Sequence, residues 1–430
     1  MCGPRIPAQH TTCKESILIT RRPARCGTIL LAAAIQMVLE MPGTLTVADD
    51  QAARSVTLQE AVASADGAPE IIAARAGEAA AEAAVRVART IPDLELSMTT
   101  NSITARESAS VLVPLPWPGR GPRIEAATAR LRTAGRSRDE ALSTARRELR
   151  AAWFSLAAAR QRAAAAADRE TRAHRNADAV AALYSEGRVA RLEQVRADAE
   201  AALAVSDRTS ADEGLRTAGS TLATLMGLPP GSTATTSGPL PEPEPETSLE
   251  EAVARAREGA PEVRVQAAAA EAAAAQWKLA RRLRAPSLGL NVGADWSDPT
   301  QEGTNTFAGV SLAIPIAGSA SAAVAAGERD QQAALLEQAR RLAAVAAETA
   351  WGATRAARLR FEAIDHDVLP AARQAADLTR LAYREGKVDV FRLLDAERLL
   401  SDTEAARADA YEAWGTAHAD LLRATARDGP

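Results

Sequence analysis

The strongest constraint on the fold is the absence of proline from two very long stretches, residues 123–228 and 316–369. Because proline interrupts a helix interior, its absence permits helices of exceptional length. One helix over residues 124–184 would extend about 90 Å, far more than a globular core requires. Leucines at seven-residue spacing favour helices that supercoil; they are Leu142, Leu149, Leu156, Leu335 and Leu342. The pattern predicts a rod or a tube.

Composition excludes several functional classes. Aromatic residues make up 3% and charged residues 25% of the 430 residues, and a net charge of -4 gives no basic footprint for nucleic acid. The sequence has neither a Gly-rich phosphate loop nor a nucleophile constellation, so we predict no enzyme and no cofactor. The histidines lack ligand partners at metal-binding spacing, and we predict no metal site. His366, between Asp365 and Asp367, is expected to be a solvated surface residue.

The first 48 residues are predicted to be an export signal. Basic Arg21, Arg22 and Arg25 precede the apolar run "TILLAAAIQMVL" and the small residues of "TVADD", and cleavage is expected near Ala48. A start codon upstream of a shorter signal is the alternative. All three cysteines lie in the first 26 residues, and Cys26 follows "PAR" rather than a lipobox, so no lipid anchor is expected. After residue 48 no apolar run approaches the roughly 20 residues of a spanning helix, so a membrane span would require strands.

The chain repeats one plan twice. "TLQEAVASADGAPE" begins at Thr57 and "SLEEAVARAREGAPE" begins at Ser248. Both begin with a Ser/Thr cap followed three residues later by Glu, which is the capping-box arrangement of a helix start. In both, an alanine-rich helix follows the "APE" break and must stop at a proline, Pro92 or Pro286.

Two strands are predicted in each repeat after that proline. Leu94, Leu96 and Met98 alternate with polar residues, as do the apolar residues of "SLGLNV" after Pro286, which is typical of half-buried strands. The second strands are predicted at 109–117 and 307–316. Four strands cannot close a barrel, but several chains could share one. Trp117 and Trp296 near strand ends fit a membrane-interface belt, although an ordinary core position would also explain each.

Each long helix is predicted to reverse at a glycine. Gly187 in "YSEGR" and Gly386 in "YREGK" can adopt the left-handed conformation that ends a helix. A Pro-rich segment joins the repeats, and we expect it to form no packed element and to lie along the outside. The predicted organisation is a signal at 1–48, a first repeat at 49–228, a linker at 229–247 and a second repeat at 248–430.

From about residue 55 to 427 the order of elements resembles the TolC-type outer-membrane factor family. The resemblance rests on the duplicated plan, on "VLPAARQAADLTRLAYREGK" and "YREGKVDVFRLLDAERLL", and on the matching "LYSEGR". "WPGRGPRIEAA" and "LEQVRADAEAA" are most similar to the cation-efflux (cobalt–zinc–cadmium) branch. The "AGSAS" that follows "IPI" departs from relatives, which usually carry an aromatic or a branched polar cluster there.

The resemblance implies a mainly α fold with a small β part: long coiled-coil hairpins and four strands per chain. It further implies a homotrimer with a 12-stranded β-barrel in outer-membrane lipid and an α-barrel in the periplasm. The implied function is a passive exit duct for small molecules or metal cations. Its implied partners are a periplasmic adaptor (membrane-fusion) protein and an inner-membrane transporter of the RND type.

The resemblance also implies roles for individual residues. Both hairpin turns, at Gly187, Arg188, Gly386 and Lys387, are expected to contact the adaptor. The family's constriction carries two acids six and nine positions after the last glycine turn; here these are Arg392 and Asp395, and the first repeat has Glu193 and Arg196. We hypothesise that these charge-swapped pairs bridge neighbouring hairpins and help to close the mouth. Solvated surface pairs worth a few tenths of a kcal/mol are the simpler interpretation.

Two other classes of protein remain alternatives. A periplasmic or cytosolic coiled-coil scaffold would need the helices but not the paired strands. An adaptor protein would carry one hairpin and a β-rich remainder, whereas this chain carries two hairpins.

Overall fold

The computed structural model describes residues 54–90, 94–101, 106–115, 119–243, 245, 247–296, 303–315 and 318–427. The helices are α1 (Leu58–Ala63), α2 (Pro69–Arg89), α3 (Arg120–Ser185), α4 (Arg191–Leu225), α5 (Leu249–Gly259), α6 (Pro261–Arg282), α7 (Gly318–Ala363), α8 (Leu369–Arg384) and α9 (Val390–Ala424). The strands are β1 (Arg54–Val56), β2 (Glu95–Asn101), β3 (Arg106–Pro114), β4 (Ala234–Thr236), β5 (Ser287–Trp296) and β6 (Asn305–Ala313). The predicted signal segment and Trp117 lie outside the described residues.

Very long helices dominate the fold, as predicted. α3 has 66 residues and is about 100 Å long. The helix starts follow the predicted capping chemistry: the Thr57 hydroxyl accepts from the Glu60 amide, and the Ser248 hydroxyl accepts from the Glu251 amide. Of these two helix starts, Thr57 has the complete capping box, since its own amide also donates to the Glu60 carboxylate. A π-turn, Ile364–Val368, separates α7 from α8 where Pro370 removes a backbone donor.

The main core lies where α3, α7 and α9 meet. Its centre is a cluster of aromatic rings from Trp153, Phe154, Phe361, Tyr411 and Trp414, with neighbouring ring centroids 5.4–5.8 Å apart. The predicted leucine repeat of α3 serves this core, since Leu149 and Leu156 are buried and Leu142 packs against them. Leu342 of α7 instead stays 60% exposed in the single chain.

The four predicted strands form one antiparallel sheet in the order β2-β3-β5-β6. β3 and β6 each begin and end two or three residues before the predicted bounds, 109–117 and 307–316. The register aligns apolar residues in rows, such as Leu96, Val111, Val292 and Ala308. On the opposite face the next row is small and polar apart from one aromatic: Ser97, Ser110, Gly293 and Phe307.

The expectation that the segment joining the repeats forms no packed element is wrong. Its residues Ala234–Thr236 form β4, which pairs in parallel with β1 and is buried at both ends. Side chains of the long helices bind the backbone of this segment: Arg160 donates to the Thr236 carbonyl, Tyr411 to that of Pro241 and Trp351 to that of Thr247. Proline has no backbone N–H, so the carbonyls of this Pro-rich segment have few backbone donors nearby. Side-chain donors from the long helices bind these carbonyls instead.

Candidate functional site

The candidate site comprises the two hairpin tips, and both are built by the same turn. Gly187 and Gly386 have φ of 70° and 69°, the left-handed conformation predicted for them. The Arg188 amide donates to the Leu183 carbonyl and the Lys387 amide to that of Ala382, each over 2.9 Å. This closure ends α3 and α8 with their last carbonyls satisfied. The two repeats therefore present equivalent turns.

The basic residues of the turns pair with an acid of the same turn. The Arg188 guanidinium lies 3.3 Å from the Glu186 carboxylate, and the Lys387 ammonium lies 2.6 Å from that of Glu385. These side chains are exposed, so the pairs contribute little to stability. The tips remain accessible, and a role of Gly187, Arg188, Gly386 and Lys387 in adaptor contact stays a prediction.

The predicted constriction residues lie just beyond the turns. Within the described residues no ion pair joins Glu193 to Arg196 or Arg392 to Asp395. The Arg196 guanidinium instead reaches from α4 to α9, where it lies 4.5 Å from the centre of the Phe391 ring. Arg392 and Asp395 are exposed on α9. The four residues are thus near the tip, but in a single chain they do not form the two pairs.

A tyrosine next to Glu193 was not anticipated from the sequence. Tyr383, at the end of α8, packs against a small cluster that includes Val180 and Val390. Its hydroxyl is buried and has no hydrogen-bond partner within the described structure. Burial, and then the negative charge of Glu193, raises the pKa of Tyr383. The phenol is therefore held neutral next to an acid of the other hairpin.

Tyr383 at the tip and Tyr411 in the main core differ in whether the hydroxyl has a hydrogen-bond partner, which predicts opposite effects on stability when each is replaced by Phe. Tyr383→Phe removes a buried hydroxyl that lacks a partner, and we expect it to stabilise the fold by about 0.5–1 kcal/mol. Tyr411→Phe removes the hydrogen bond to the Pro241 carbonyl and should destabilise the fold by about 1 kcal/mol. Unfolding midpoints of the two purified variants should move in opposite directions, and a lower midpoint for Tyr383→Phe would contradict the assignment.

A buried ionic cluster, which we call the Glu397 network, joins the two hairpins behind the tip. Glu397 of α9 is 8% exposed. Its carboxylate lies 2.5 Å from Arg380 of α8 and 3.0 Å from Arg172 of α3. Arg172 also lies 3.3 Å from Glu404. One acid therefore links three helices from both repeats.

The sequence carries a signal for this network that was missed. Val390, Leu393, Leu394, Glu397 and Leu400 follow helical three- and four-residue spacing and form one buried stripe. An acid inside an apolar stripe requires a cationic partner. That rule identifies Glu397, although it does not identify which arginines meet it.

The sheet places apolar side chains on one exposed face. Leu96, Met98 and Val310 are 68%, 73% and 72% exposed and lie on that face. Trp296, at the end of β5, donates from its indole nitrogen to the Glu107 carboxylate over 2.5 Å. This position suits a membrane-interface aromatic, a role that remains a prediction. No helix in the described ranges is sufficiently long and apolar to cross a membrane. The same ranges contain no cluster of three or more metal-ligating side chains.

Comparison with known proteins agrees with this architecture. Residues 252–427 match the family model described as outer membrane efflux protein. No curated protein matches the chain by sequence. The fold is similar to that of a membrane protein from Pseudomonas aeruginosa, with a TM-score of 0.72 and 19% identity over 86% of this chain and 93% of that one.

Two further solved structures are comparably similar. The CmeC outer membrane channel of Campylobacter jejuni has a TM-score of 0.71 and 13% identity, with 86% of this chain and 85% of that chain covered. The outer membrane protein VceC of Vibrio cholerae has a TM-score of 0.69 and 16% identity, with 86% and 95% covered. At these identities the likeness establishes the fold.

Residues 252–427 thus match a model of outer membrane efflux proteins, and the fold of the chain is that of the outer-membrane channels compared above. The match to the family model lies within the second repeat, and the first repeat follows the same structural plan.

Proposed function

We propose that three copies of the chain form a passive exit duct, with a 12-stranded barrel in the outer membrane and an α-barrel in the periplasm. The observation that carries this proposal is the sheet, whose exposed apolar face suits lipid and whose opposite face is mostly small and polar. Among the residues that the structure describes, its outer strands, β2 and β6, each have one edge without a partner strand. Lipid does not tolerate open sheet edges, so β6 of one copy would pair with β2 of the next.

Native mass spectrometry of the protein extracted from outer membranes tests this assembly. Each unprocessed chain has a mass of 45.0 kDa, and we expect a particle of three chains, each shortened by removal of the signal. Migration as a heat-stable trimer in detergent would agree. A particle of one or two chains would contradict the shared barrel and favour the scaffold alternative.

We further propose that the duct works in a tripartite system. An inner-membrane transporter of the RND type would supply energy, and a periplasmic adaptor would connect it to the exposed hairpin tips. Small molecules or metal cations would pass through without a dedicated binding site. Arg392 and Asp395 are exposed and have no ion-pair partner within the part of the chain that the structure describes, so charges of both signs are available to neighbouring hairpins.

Charge reversal at the mouth tests the gating hypothesis. If Arg392 bridges to an acid of a neighbouring hairpin, Arg392→Glu replaces an attraction with a repulsion and should raise the conductance of the isolated channel in a planar lipid bilayer. Arg398→Glu is the matched control, because Arg398 is on the same helix and 66% exposed. Equal conductance of Arg392→Glu and the unsubstituted channel would refute the bridge.

A further inference from the structure

The two ends of the four-stranded sheet carry opposite charge. All four strands meet the helices at one end, because α2 leads into β2, β3 into α3, α6 into β5 and β6 into α7. The segments that join strands to helices at this end are 86–95, 114–124, 281–287 and 313–320. They contain seven arginines and two acids, whereas residues 101–107 and 295–305 at the far end contain four acids and one arginine. The helical end of the sheet is therefore basic.

The seven arginines divide by the partners of their guanidinium groups. Arg120 and Arg123 donate to carbonyls at the end of α2, each over 3.2 Å. Arg86 and Arg281 each have a partner on their own helix, which is an acid for the first and a tryptophan ring for the second. The other three are exposed and have no ion-pair or hydrogen-bond partner for the guanidinium among the residues that the structure describes. We call these three the basic rim; they are Arg89, Arg282 and Arg284.

The basic rim is interleaved with exposed apolar side chains. Leu283 separates two of its arginines, and Val87 lies two residues before the third. The exposed apolar face of the sheet continues to the same end, where Leu288 lies opposite Leu312. Cationic groups mixed with exposed aliphatic groups are typical of a protein surface at the boundary of a bilayer, since the aliphatic groups enter the acyl region and the cations stay at the headgroups.

We propose that the basic rim binds the headgroups of anionic phospholipids in the membrane leaflet that faces the periplasm. This rests on the proposed function, in which the sheet spans the outer membrane with its helices on the periplasmic side. Guanidinium forms parallel hydrogen bonds to two phosphate oxygens. In a zwitterionic headgroup the ammonium offsets the attraction of the phosphate, so the net charge of the lipid determines the preference. Bound headgroups hold the sheet at a fixed depth in the membrane.

Spin-labelled lipids measure this preference directly. The full-length channel would be reconstituted in phosphatidylcholine vesicles with traces of spin-labelled phosphatidylglycerol or phosphatidylethanolamine. Electron paramagnetic resonance separates lipid that is motionally restricted by the protein from mobile lipid. We expect phosphatidylglycerol to associate about fivefold more strongly than phosphatidylethanolamine at low salt, a factor that corresponds to one basic residue next to an anionic surface. The preference should shrink as salt screens the charges.

Neutralising the basic rim tests whether these arginines cause the preference. In Arg89→Gln/Arg282→Gln/Arg284→Gln the two lipids should associate within about a factor of two of each other, because the attraction depends on the positive charge. The corresponding triple replacement by Lys retains the charge and should retain most of the preference.

A matched control removes the same charge elsewhere. Arg216→Gln/Arg373→Gln/Arg398→Gln neutralises three exposed arginines on α4, α8 and α9, which join no strand of this sheet. It should keep the full preference for phosphatidylglycerol. Loss of the preference in this control would show that the net charge of the protein, rather than the basic rim, attracts the lipid.

Three further outcomes would overturn the proposal. One is equal association of both lipids with the unsubstituted channel. Another is a preference that sodium phosphate abolishes but sodium chloride of equal ionic strength does not, which would indicate a site for free phosphate. The third is a preference that survives in the Gln variant while the reversal potential of its bilayer current shifts, which would place the arginines along the passage.

The same spectra separate this proposal from the proposed duct. A channel that restricts both lipids equally still has a lipid-facing sheet, so that result refutes only the headgroup preference. A channel that restricts neither lipid has no such sheet, and that result refutes the barrel in the membrane.

Discussion

Glu397→Ala is expected to destabilise the protein more than removal of any exposed acid. The substitution removes the carboxylate that Arg172 and Arg380 share, and their side chains are only 19% and 31% exposed. Each arginine is left with one other acid, Glu404 or Asp377. Breaking a fully buried pair costs about 3–5 kcal/mol, and the partial exposure of both arginines lowers this expectation to about 2–3 kcal/mol. Thermal unfolding in detergent, followed by circular dichroism, should show a midpoint several degrees lower.

Two further variants test the cause of that loss. Asp402→Ala removes an acid of α9 that is 67% exposed and lies 4.0 Å from its arginine, and it should cost under about 0.5 kcal/mol. The quadruple variant Arg172→Met/Arg380→Met/Glu397→Leu/Glu404→Gln also removes the acid that Arg172 contacts on α9, and it should be more stable than Glu397→Ala because no buried charge is stranded. A quadruple variant that is less stable than Glu397→Ala would show that packing, rather than charge, dominates at this position.

The sequence predicted the features that depend on short-range pattern. Helix starts at Thr57 and Ser248 follow from local capping chemistry, and the reversals at Gly187 and Gly386 follow from a conformation that glycine adopts without strain. The four strands were found because their side chains alternate with period two. In each case the information lies within a few residues of the element.

Features that depend on contacts between distant segments were not predicted. β1 and β4 have three residues each and are about 180 positions apart, so neither has a pattern of its own. The prolines of the joining segment predict that it does not pack, whereas Arg160, Trp351 and Tyr411 donate hydrogen bonds to its carbonyls from three different helices. The composition of the segment itself does not indicate which distant side chains donate to it.

The charged residues at the tip show the same division. The three-residue spacing of Glu193 and Arg196 indicated a possible pair on one helix. In the fold Arg196 stacks on Phe391 of α9, because the two hairpins pack against each other there and an aromatic face is available to the cation. Side-chain spacing defines which residues share a face, whereas the tertiary packing determines which partner each of them meets.

Gly415→Ala is expected to disrupt the main core. A methyl group at Gly415 would overlap the ring of Phe154, at a separation that real side-chain contacts do not show. Phe154 cannot retreat, because its ring contacts those of Trp153, Tyr411 and Trp414 edge to face. Overpacking usually lowers the free energy of unfolding by about 1–3 kcal/mol. Because the Phe154 ring is enclosed on three sides, we expect Gly415→Ala to lie at or above the upper end of that range.

Two further variants distinguish the overlap with Phe154 from the general effect of replacing glycine by alanine in a helix. Gly214→Ala lies in α4 with open space around the added methyl, and better helix propensity should stabilise it by about 0.5–1 kcal/mol. Phe154→Leu/Gly415→Ala frees volume at the contact and should unfold at a higher temperature than Gly415→Ala alone. A double variant that is less stable than Gly415→Ala would show that the destabilisation does not come from contact with the Phe154 ring. Because the cluster joins α3, α7 and α9, its disruption should loosen the packing between the two repeats as well as lower the midpoint.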